Sequence, residues 1–81
     1  DLPYIVVLSC TGHDVEMKAK DFLSKNVTKT TIKSKSAVKG VIELNIEVRL
    51  KDDDTDFINI LSEMPGVNSA VIVSYNGDYM G

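Results

Sequence analysis

The ten residues VIELNIEVRL (41–50) alternate apolar and polar side chains without a fault, with Ile42, Leu44, Ile46, Val48 and Leu50 on one side and Glu43, Asn45, Glu47 and Arg49 on the other. Side chains along a strand point to opposite faces in turn, so this run is a strand with one dry and one wet face. A sheet built on it needs a covering layer on one side only. Two amphipathic stretches can supply that layer. From Asp14 to Lys25, Val15, Ala19, Phe22 and Leu23 recur at helical spacing, with Asp14 and Glu16 in the first turn and Lys25 in the last, where each charge opposes the helix dipole. Asn26 is the expected stop. Further on, KDDDTD (51–56) breaks the chain and offers N-caps, Phe57, Ile58, Leu61 and Met64 form a second stripe, and Pro65-Gly66 ends it.

Three more strands complete the pattern. YIVVLSC (4–10) is β-branched and aromatic, and TGHD follows it as a breaker. VTKTTIKSK (27–35) reads as an exposed strand with lysines at 29 and 33, and AVKG (37–40) turns it into the strand at 41–50. The last strand runs from Val67 to Tyr75. The order β-α-β-β-α-β predicts an α+β, ferredoxin-like sandwich: a four-stranded antiparallel sheet in the order 4-1-3-2 with both helices on one face. Residues 1–81 form a single domain, because a chain of 81 residues hides only about 60–65% of its unfolded surface and has material for one core.

The totals narrow the function classes. A net charge of −3 gives no field that gathers nucleic acid or anionic lipid. One cysteine, Cys10, makes no internal disulfide and fits a reducing compartment. No run approaches the roughly 18 uncharged residues that span a bilayer. The opening DLPY lacks an initiator methionine and a leader, so a fragment of a longer protein is expected.

The outer and inner strands raise a question that the hairpin does not. A symmetric hairpin about 36–40 pairs Lys33 with Glu43 and Lys29 with Glu47 on the face away from the helices. In the first and last strands, by contrast, Tyr4, Val6 and Leu8 alternate with Ile5 and Val7, and Val71, Val73 and Tyr75 alternate with Ala70 and Ile72. Neither side is polar. One side must therefore carry an apolar patch beside the charged hairpin, and Tyr4, Val6, Leu8, Val71, Val73 and Tyr75 are the expected interface, with a second copy or the rest of the chain as its partner.

Other constellations are weaker. Cys10, His13 and Asp14 crowd together in SCTGHD, yet a tetrahedral zinc site needs three or four ligands and the chain has no second pair. A buried filler, a loop residue and a helix cap explain them, and a metal-assisted enzyme is the most distant reading. Gly12 before a helix N-terminus could offer amides to an anion, but Asp14 and Glu16 oppose a phosphate. A neutral or zwitterionic ligand at Gly12, His13 and Asp14 is less penalised, which by fold analogy gives a regulatory module similar to amino-acid-binding ACT domains. KDDDTD fails as a calcium loop because the sixth place from Asp52 is Phe57, where an EF-hand needs glycine. Capping by Asp53 or Asp54 and dipole complementation by Asp56 explain it instead. Lys25, Lys29, Lys33, Lys35 and Lys39 lack the exposed aromatics that RNA-binding sheets stack on, so edge protection is expected and nucleic acid is not. No motif calls for a cofactor.

The segment 39–79, above all IELNIEVRLK, the Gly-Val after the second helix and VSYNGDY, resembles the C-terminal domain of a bacterial membrane-protein family catalogued as domain of unknown function 4956. That resemblance implies membrane-embedded helices ahead of this domain, a location on the cytoplasmic side, and no catalytic residues. Asn76-Gly77 favours a tight turn, after which Asp78 to Met80 either fold back beside the last strand, so that Tyr75 and Tyr79 flank one surface, or trail into solvent. The expectation is a non-catalytic sensory or assembly domain that works by protein contact.

Overall fold

The faultless alternation at 41–50 becomes the central strand β3 (Val41–Leu50), whose five inward residues are each at most 7% exposed. The computed structural model describes residues 2–74, and around β3 it arranges β1 (Leu2–Thr11), α1 (His13–Asn26), β2 (Lys29–Val38), α2 (Phe57–Ser62) and β4 (Val67–Ser74). The strands pair antiparallel in the order β2-β3-β1-β4, which is the expected 4-1-3-2 sheet read from its other edge. The predicted hairpin of the C-terminal tail, and Tyr75 and Tyr79 with it, lie outside the described residues.

One layer of side chains makes the core. Val6, Leu8 and Cys10 of β1 join the β3 row, and Ala19 and Leu23 of α1 with Phe57 and Leu61 of α2 close over them. The parity of β1 is thereby fixed: Val6 and Leu8 have no exposed surface and Tyr4 packs at the rim of the same cluster. These three residues belong to the covered side. Val6 and Leu8 are residents of the monomer's own core and unavailable to a partner, and the partly buried Tyr4 faces the helix side with them, which corrects the expected interface.

The hairpin also differs in register. Its turn is only two residues, Lys39 and Gly40, at φ 49° and 83°, the doubly left-handed geometry whose twist matches that of antiparallel strands. Between Ile32 and Ser34 the β2 ladder slips, leaving Lys33 as an extra residue in a bulge. Glu43 consequently faces Ser36, Arg49 faces Lys29, and Lys33 reaches Glu47 at 3.8 Å instead of Glu43. The helix starts differ too. α1 begins at His13 after Gly12, at φ 95° and without a side-chain cap, so Asp14 sits in the first turn and caps nothing. Asp53 and Asp54 do not cap α2, whose N-cap is Asp56; the carboxylates of Asp52 and Asp54 instead accept the amides of Asp54 and Asp56, each at 3.0 Å.

Candidate functional site

With even-numbered β1 residues turned to the helices, the odd-numbered ones face outward, and the partners that β4 gives them are apolar too. Ile5 lies opposite Val73 and Val7 opposite Val71. Both β4 valines are about half exposed, at 45% and 49%. On the other flank Ile5 meets Glu47 and Val7 meets Asn45, and beyond them Asn45 donates to the Ser34 hydroxyl at 2.8 Å. Glu47 also lies between Lys33 and, at 3.6 Å, Arg49. The open face is therefore half apolar ladder, half polar and charged lattice. Val71 and Val73 stand where the sequence placed an interface, while Ile5 and Val7 take the places expected of Val6 and Leu8.

The helix-side edge holds a second cluster that sequence reasoning missed. Glu16 is 1% exposed, yet its carboxylate accepts from the Lys35 ammonium at 2.8 Å and faces the His13 Nδ1 at 3.2 Å. The Lys35 hydrogen bond, assisted by His13, holds the Glu16 carboxyl below the usual glutamate range in spite of its burial. Lys35 reaches this side because the two-residue turn at Lys39-Gly40 pairs it with the inward-facing Leu44, while the bulge returns Ile32 and Thr30 to that same side, so a period-2 reading carried through the length of β2 does not pair Lys35 with a helix residue 19 positions away. Cys10 lies close by, and burial, then the charge of Glu16, pushes its thiol pKa up. A thiol so placed is a poor nucleophile.

The loop at Gly12, His13 and Asp14 has two of its neighbouring amides committed to other loops. The Thr11 amide donates to the Gly66 carbonyl and the Gly12 amide to the Gly40 carbonyl, both at 2.8 Å, so its strand-end donors are already engaged. His13 and Asp14 are exposed. Among the described residues, no three His, Cys, Asp or Glu side chains are grouped to hold a metal ion. A cleft of about 570 Å³ opens at the opposite end between α1 and α2, and its lining includes Val27, Leu50 and Phe57 together with Asp52, Asp54 and Asp56.

No protein-family model matches the chain, and no curated protein is significantly similar to it. A solved structure is. The C-terminal domain of the MgtC protein from Mycobacterium tuberculosis superposes with a TM-score of 0.67, at 17% identity, over 91% of this chain and 87% of that one. At that identity the likeness is one of fold, and the resemblance to domain of unknown function 4956 stands on its motifs alone. Among the described residues no helix is long and apolar enough to cross a membrane.

Proposed function

We propose that this chain is a non-catalytic regulatory or assembly domain of a membrane protein, acting through protein contact on its open sheet face, by self-association or by docking to the remainder of its own chain. The observation that carries this reading is the Ile5–Val73, Val7–Val71 ladder on the side the helices leave bare. Covering a few hundred Å² of such surface at ~25 cal/mol per Å² yields several kcal/mol before association costs are subtracted. The polar half of the face holds Lys33, Glu47 and Arg49, so both signs of charge are present for a self-complementary contact. The membrane setting is supported by the sequence resemblance, and the fold it shares with a C-terminal domain of another protein is consistent with that placement.

The test is sedimentation velocity across a concentration series for the chain and its Val71→Lys/Val73→Lys variant. Self-association predicts a concentration-dependent rise in the sedimentation coefficient that the variant loses while its melting temperature stays within a few degrees. Identical profiles for the two proteins would remove the open face from the contact.

A further inference from the structure

The two edges of the sheet are built differently. β2, at one edge, carries Lys29, Lys33 and Lys35 and a bulge, the usual devices that stop a strand from recruiting another. β4, at the other edge, reads VNSAVIVS and has no charge and no proline; its own irregularity, at Asn68, lies near its start and leaves Ser69–Ser74 in regular register with β1. Its outward backbone groups can be assigned. Because the Thr11 amide turns to Gly66 and the Gly12 amide to Gly40, the odd-numbered residues of β1 bond toward β4 and the even-numbered ones toward β3. Val71 and Val73 therefore answer β1, and the N–H and C=O of Ala70 and Ile72 point out of the sheet.

We infer that a second copy of this chain pairs there, β4 against β4 across a two-fold axis at Val71. Ala70 of each copy exchanges two hydrogen bonds with Ile72 of the other, and the two Val71 side chains meet on the open face. The strands would then align Val7, Val71, Val71 and Val7 in one row across an eight-stranded sheet, doubling the apolar ladder. A foreign copy's β2 is the competing partner, and pairing β4 with β2 would propagate without end; the lysines and bulge of β2 oppose it, which leaves the closed dimer. This builds on the protein-contact reading but uses the strand edge, a different surface from the sheet face.

Ala70→Pro removes the outward N–H at a position where an edge strand tolerates proline, and leaves the open face intact. In sedimentation equilibrium the dimer dissociation constant should rise about tenfold or more, since two of the four hydrogen bonds are lost. Should that variant melt early, Val71→Cys gives a second readout: an unbonded cross-strand pair places its Cα atoms about 4.5 Å apart, within disulfide reach, so mild oxidation should yield covalent dimer. Val73→Cys, opposite Ser69 in this register, should not. A dimer that ignores Ala70→Pro but is lost on Val73→Lys overturns the edge pairing and leaves the face contact standing. A wild-type chain that stays monomeric overturns the edge pairing and self-association through the face, leaving only docking to the remainder of the protein, and a monomer that dimerises only after residues 75–81 are removed assigns the edge to the chain's own tail.

Discussion

A single buried carboxylate accounts for the acid sensitivity expected of this molecule. The Glu16 carboxyl lies below the ordinary glutamate value of 4.5, so the folded chain binds that proton more weakly than the unfolded one. Its contribution to stability is complete above pH 4.5 and drains away as the pH falls through the lowered folded value. Urea melts across that range should show the decline, and Glu16→Gln should flatten it. Glu16→Ala, which leaves the Lys35 ammonium without its acceptor and opens a cavity, should cost about 2 kcal/mol near neutrality. Gly66 sets a second constraint of the same size. It sits at φ 91°, and an added Cβ would run into the side chain of Val15. Gly66→Ala should therefore destabilise by about 2–3 kcal/mol in chemical denaturation, the sum of left-handed strain and a displaced Val15.

Among the elements, legibility followed the strength of the local signal. β3 was readable to the residue because its alternation is complete and Gly40 marks its start. β2 was misplaced by two or three residues, since KSKSAV has little β preference and its pairing comes from the neighbouring strand. The bulge has no signature, and together with the place of the two-residue turn it decides which lysine meets which acid. Parity in β1 and β4 was equally hidden: where both faces are apolar, only the helix layer says which is inside, and a one-residue choice exchanged Ile5 and Val7 for Val6 and Leu8. Deleting Lys33 isolates the bulge. Ile32 would still face Ile46 and Ser34 would still face Asn45, so stability should move by less than about 1 kcal/mol. The flattened edge should aggregate faster on heating, which light scattering during a thermal ramp would detect.

For the whole molecule, the sheet divides labour by side. The helix-facing layer holds the core, so substitutions there report on folding, while the opposite layer holds the half-exposed valines on which the proposed contact rests. Some of the molecule's connections also meet at one corner, where the amides of Thr11 and Gly12 tie the loop after β1 to the β2–β3 turn and to the segment before β4. No single loop can lift away there without its neighbours. Hydrogen exchange at these two amides should thus be as slow as in the middle of β3; rapid exchange would mean that the corner opens by itself. If the exchange is slow, three connections share one latch, and a load placed on the loop after β1 is passed to the hairpin and to the final strand together.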